Sequence, residues 1–195
     1  MVTFDKRKRL ECVLHGSLPD RPPITAYHHF PGRERNAEDL AGCMLAFQEK
    51  YDWDILKIHP AATVANEVWG NTYDYSTYEN KIFPRLTSKK IRTVEDLDRF
   101  TAKSGDYGAL GEMVEAVKLI RKGLKEDVPL LQTLFTPINY ICDALGAPIV
   151  RRHFPADRND NVMFQLFKEH PDWVKGALQG ITDTFVDYAH RVMKA

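Results

Sequence analysis

Short apolar runs of β-forming character alternate along this chain with longer segments of helical periodicity, and that alternation is its tightest constraint. Strands separated by helices pair in parallel, and right-handed crossovers then place the helices outside the sheet. The first run lies in PDRPPITAY, where Pro22 and Pro23 forbid a helix, so a strand is expected at about 23–28, ending at His28-His29. Asn36, with Glu38 and Asp39 behind it, forms an N-cap and acidic first turn. Leu40, Cys43, Met44, Phe47 and Tyr51 follow at helical spacing and predict a helix over 37–51. After Asp52 the run Ile55–Ile58 predicts a second strand ending at His59-Pro60.

Residues 61–70 read as a loop or helical turn. TYDYSTYENKIFPRL reads as an antiparallel hairpin around Glu79-Asn80, inserted beside the main sheet. Thr93 and Asp96 form a variant capping box that starts a short helix to about Phe100. Leu110, Met113, Val114, Val117, Ile120 and Leu124 carry the stripe of a helix packed on a sheet. Val128–Phe135 is apolar enough for a third strand covered on both faces. A helix from Thr136-Pro137 to about Leu145, another near 159–169 and a long one after Pro171 complete the pattern. Ahead of all these, residues 4–15 predict a short helix behind Thr3, with the KRKR run as a solvated basic face.

A chain of 195 residues with 44% hydrophobic content suffices for a single domain, expected to occupy 1–195. Basic and acidic residues each number 27, so there is no basic field for nucleic acid or anionic membranes, and neither partner is expected. No apolar run approaches the roughly 20 residues that span a bilayer. Glu11 and His15 interrupt the N-terminus before a secretory core forms, and a cytoplasmic location is expected. Cys12, Cys43 and Cys142 are widely spaced among apolar neighbours and read as buried free thiols. GxGxxG, P-loop, GxSxG and HExxH motifs are absent, so the mechanisms they serve have no support.

Several stretches carry a family resemblance: KRLECVLHGSLPDRPPITAYHHFPG, DWDILKIHPAATVANEVWG, KIRTVEDLDRF and VPLLQTLFTPINYICDALG. In this order they resemble the N-terminal half of the uroporphyrinogen decarboxylase family. The resemblance implies an α/β chain forming about the first half of a (β/α)₈ TIM barrel, with the hairpin as a small insertion. It also implies an active site at the C-terminal ends of the strands. The family includes carboxy-lyases of porphyrin metabolism and cobalamin- and thiol-related methyltransferases. No cofactor is expected in this chain, since the zinc ligands of the methyltransferase branch lie in the C-terminal half. A homodimer, or association with the missing half, is expected to cover the strand edges of an unclosed sheet.

Within the family, decarboxylases carry an RQAGR motif after the first strand to hold substrate carboxylates. The matching stretch here is His28-His-Phe-Pro-Gly-Arg-Glu-Arg35, with Arg33 and Arg35 as candidate substitutes. His59 stands where those enzymes place an aspartate. Three histidines, His28, His29 and His59, therefore meet at one expected rim as candidate catalytic residues, since imidazole serves as acid or base near neutral pH. Arg33, Arg35, Asn139 and Tyr140 are candidate substrate contacts. The alternatives are plain: one histidine packs in a core, the arginines pair with Glu34 or Glu38, and Tyr140 packs its helix. The expected activity is that of a divergent family member binding a small anionic or tetrapyrrole-like ligand, incomplete as this chain alone. Methyl transfer and a non-catalytic, self-associating half-barrel are the alternatives.

Overall fold

A computed structural model describes residues 4–79, 82–90, 92–145 and 162–195. Two compact units are built from discontinuous stretches. The first runs to Ala61 and adds Glu112–Thr133; the second comprises Ala62–Gly111 and Leu134–Lys194.

In the first unit, helix α1 (Lys6–Leu14) starts at Asp5, whose carboxylate accepts the Lys8 amide at 2.7 Å. Its basic run is a solvated face only in part: Arg7 and Lys8 are exposed. Lys6 and Arg9 are buried, because carboxylates distant in sequence converge on them. Lys6 pairs with Asp52 and Glu126, Arg7 with Asp127, and Arg9 with Asp20 at 2.7 Å and Asp54 at 2.6 Å. Arg21 closes the network on the other Asp54 oxygen.

Asp54 is fully buried and also accepts the Ile24 amide at 2.8 Å. That bond explains why the strand expected at 23–28 does not form. The segment is extended, but two prolines lack a donor and the Ile24 N–H goes to a side chain. It meets the start of the next strand through Asp54 N–H to Ile24 O at 3.0 Å and Thr25 Oγ1 to Ile55 O at 2.6 Å.

Helix α2 (Ala37–Tyr51) matches its expected bounds. Asn36 Oδ1 accepts the Asp39 amide at 2.8 Å, and Glu112 accepts that of Ala37 at 2.9 Å. Asp52 ends the helix in the left-handed region at φ 52°. Its inner stripe, Leu40, Ala41 and Met44, is buried, as are Leu56 and Ile58 of strand β1 (Leu56–Ile58). β1 pairs in parallel with β4 (Leu130–Gln132), Leu56 opposite Leu130. The third expected strand is thus shorter than 128–135. Among the described residues β4 has one strand neighbour, and Leu131, Leu134 and Phe135 are exposed rather than covered. Helix α4 (Ala109–Gly123) contributes Met113, Val117 and Ile120 to the core.

In the second unit, α3 (Val64–Val68) precedes β2 (Thr72–Glu79) and β3 (Phe83–Ser88), which pair antiparallel. The turn expected around Asn80 lies outside the described residues. Asp96 accepts the Arg92 and Thr93 amides at 2.9 and 3.1 Å, but the segment it starts, Glu95–Arg99, is 3₁₀ rather than α-helical. α5 (Pro137–Leu145), α6 (Val162–Glu169) and α7 (Pro171–Lys194) follow, and the expected start of α6 at 159 is also outside the described residues.

Helix α7 approaches the 100–105 segment with no room for a side chain. A Cβ on Gly180 would lie 1.8 Å from Phe100 O, and one on Gly105 would lie 2.2 Å from the Tyr188 amide. Thr184 Oγ1 accepts the Lys103 amide at 2.9 Å, and Asp187 accepts that of Gly105 at 2.6 Å. Among the described residues no helix is long and apolar enough to cross a membrane.

Asp54→Ala is expected to lower the free energy of unfolding by about 3 kcal/mol in a urea titration, because Arg9 loses one of its two carboxylates and the Ile24 amide loses its acceptor. Gly180→Ala is expected to cost about 1–3 kcal/mol by overpacking. The arginines outweigh burial at Asp54 and hold its carboxyl below the ordinary range; Arg9 holds Asp20 down at about 2. Folded pKa values below unfolded ones stabilise above about pH 4, and this contribution is lost as acid titrates the folded carboxyls. Asp54→Ala is therefore expected to flatten the acid limb of a stability-pH profile.

Candidate functional site

His29 and His59 meet in the first unit, because the segment before Glu34 lies beside the start of β1 while His59 follows that strand; His28 does not join them. His59 is buried; its ring stacks on Tyr27 at 4.6 Å and meets the His29 ring edge to face at 4.3 Å. Its Nδ1 has no hydrogen-bond partner. Lys57 sits over the other aromatic neighbour, 4.7 Å from the Tyr27 ring centre. His28 is exposed, edge-on to Phe30 at 5.2 Å and stacked at 6.2 Å on Phe47 of α2.

Glu34 is the residue that sequence reasoning misplaced. Rather than pairing on the surface with an arginine, its side chain is 1% exposed, accepts the Phe30 amide at 2.8 Å and pairs with His29 Nδ1 at 3.2 Å. A Gly32 at φ 82° reverses the chain between the two. A carboxylate five residues beyond a histidine, across a glycine turn, is the local signal that was available. Tyr27 was likewise missed, since an aromatic at a strand position reads as ordinary packing.

Arg33 is 64% exposed and lies 3.7 Å from Asp39, and Arg35 is exposed. Asn139 and Tyr140 belong to the second unit. Asn139 Oδ1 accepts the Thr136 hydroxyl at 2.7 Å at the start of α5. Tyr140 is buried, stacks on Phe185 at 4.4 Å and accepts the Phe135 amide at 3.1 Å; burial pushes its hydroxyl up to about 12. Cys43 and Cys142 are buried and Cys12 is half-buried, so Cys12 departs from the expected burial. Burial raises the Cys142 thiol to about 11. Among the described residues no three His, Cys, Asp or Glu side chains are grouped to hold a metal ion.

Chemically, the cluster combines an uncharged imidazole with a carboxylate-oriented one. Burial first, then the positive charges of His29 and Lys57, lower His59 to about 4, against the opposing pull of Glu34. His59 is therefore neutral at pH 7. Its folded value lies below the unfolded one near 6.5, so stability is full above that value and falls as pH drops toward 4. Thermal melts between pH 7 and 4 are expected to show this loss, and His59→Leu to reduce its slope by the uptake of one proton.

Comparison with known proteins follows the same outline. The family model of uroporphyrinogen decarboxylase (URO-D) matches residues 6–195. A solved methyltransferase from Methanosarcina mazei superposes with a TM-score of 0.73 at 20% identity, over 98% of this chain and 56% of that one. The likeness shows the fold, a portion of a (β/α)₈ barrel, and this chain spans little more than half that neighbour's length. No curated protein matches. On the match over residues 6–195, the chain belongs to the uroporphyrinogen decarboxylase family.

Proposed function

We propose that this chain carries the N-terminal rim of a divergent decarboxylase-family barrel and binds a small anionic ligand there, through His28, His29 and His59 with Arg33 and Arg35 at the mouth. The reading rests on one observation above the others: a buried ring nitrogen of His59, without a partner, beside the ring of His29. A buried polar atom left unpaired costs about 1–3 kcal/mol, and a ligand that pairs with it recovers that energy. Strand ends are also where barrels of this fold keep their ligands.

His59 and His28 stand where the resemblance places an aspartate and an arginine in the tetrapyrrole decarboxylases. Decarboxylation of a tetrapyrrole is thus less favoured than binding of a smaller acid. The hairpin β2–β3 is an addition to the barrel in this reading, and a second copy or further barrel strands complete the sheet. A methyltransferase reading is the alternative, suggested by the Methanosarcina mazei neighbour being a methyltransferase. Asn139 and Tyr140 lie in the second unit, and the proposal rests on the residues of the first.

Titration with citrate as a small anion and uroporphyrin as a tetrapyrrole, followed by ¹H–¹⁵N spectra, tests the site. Binding is expected to move the His28, His29 and His59 signals. In the His28→Ala/His29→Ala double variant, affinity is expected to fall by about tenfold or more. Unchanged affinity in that variant overturns the assignment.

A further inference from the structure

The Glu34–His29 pair has a geometry that anion binding alone does not need. Glu34 is 1% exposed, and its Oε2 lies 3.2 Å from His29 Nδ1 and 2.8 Å from the Phe30 amide that holds it in place. A carboxylate accepts only, so Nδ1 of His29 carries the proton and donates it. In the uncharged form of His29, Nε2 is then left with a lone pair. His59, edge to face with His29 at 4.3 Å, places an unpartnered ring nitrogen in the same cluster. A histidine oriented by a buried carboxylate is a proton acceptor whose protonated form the carboxylate stabilises.

We propose that Glu34 is a positioning residue that sets His29 as the proton acceptor for a protic group of the ligand, a thiol or acidic hydroxyl that enters uncharged. This rests on the ligand site proposed above and narrows its substrate class. A group arriving as an anion meets the charge of buried Glu34, whereas a neutral X–H group meets a lone pair. In the step, the X–H bond breaks, its electron pair stays on X, and the proton forms a bond to His29 Nε2. The imidazolium then donates Nδ1–H to Glu34, while His59 Nδ1–H, in that tautomer, donates to the new anion on X. The anionic remainder of the ligand is left to Arg33 and Arg35.

Two measurements on the whole chain test this. Long-range ¹H–¹⁵N spectra of the ligand-free protein read the His29 tautomer directly. The Nδ1–H form is expected in the wild type and its loss in Glu34→Gln; an Nε2–H form in the wild type overturns the proposal, even if Glu34→Gln fails to fold. The second probe is 4-nitrophenol, colourless when protonated and yellow when ionised. Added at a pH where the free probe is largely colourless, it is expected to turn yellow on binding, and Glu34→Gln to lower the ionised fraction of bound probe by about tenfold or more. A bound probe that stays colourless, or none bound, overturns the proposal. The tautomer is read without any ligand, so failure with citrate and uroporphyrin alone sinks the anion-site reading and leaves the Glu34–His29 pair to be judged by its own spectra.

Discussion

Asp54 is the group on which the first unit depends. One buried carboxylate receives Arg9 from α1, Arg21 from the segment that follows and the amide of Ile24 beyond it. A buried ion pair of this kind gains little net energy over well-packed apolar side chains, because both charges leave water. Its effect here is positional. It fastens α1 and the 22–30 segment close to the start of β1, and so puts Tyr27 and His29 beside His59 at that strand's far end. A hydrophobic substitute would have no means of fixing where along β1 the segment lies, since apolar contact is not directional.

The candidate site follows from that placement. Burial against Tyr27 and His29 keeps His59 uncharged, and a neutral imidazole is able to donate or accept where an imidazolium only donates. Glu34 supplies the one buried negative charge in the loop and orients His29. The result is an arrangement of hydrogen-bonding groups rather than a basic pocket; the arginines nearby are exposed and already face Asp39 in one case. The rim thus differs in kind from the guanidinium-lined entrance that the family resemblance implies for tetrapyrrole carboxylates.

Elements whose stabilising contacts are local were legible in the sequence. Helix α2 has its cap at Asn36, its acidic first turn and its inner stripe within its own span, and it forms over the expected residues. Helix α7 is equally plain, with Val174, Ala177, Ile181, Phe185 and Tyr188 buried at helical spacing. The strands were less legible because a strand exists only through its partner. The 23–28 run has β-forming residues, yet its amide at Ile24 is taken by Asp54, thirty residues on. Within the KRKR run the burial of Lys6 and Arg9 was illegible for the same reason: nothing near them in sequence announces Asp52, Asp54 and Glu126.

By itself the sequence determined the order of helices and extended runs, the three histidines at the ends of two of those runs, and the family. Periodicity, capping and motif order are properties of neighbouring residues, and they survive without knowledge of the fold. Tertiary structure decided which charges are buried, that Glu34 faces His29 rather than solvent, and that His59 is neutral with an unpaired nitrogen. Those outcomes depend on desolvation and on hydrogen-bond partners brought from distant positions, and both are set only when the chain has packed.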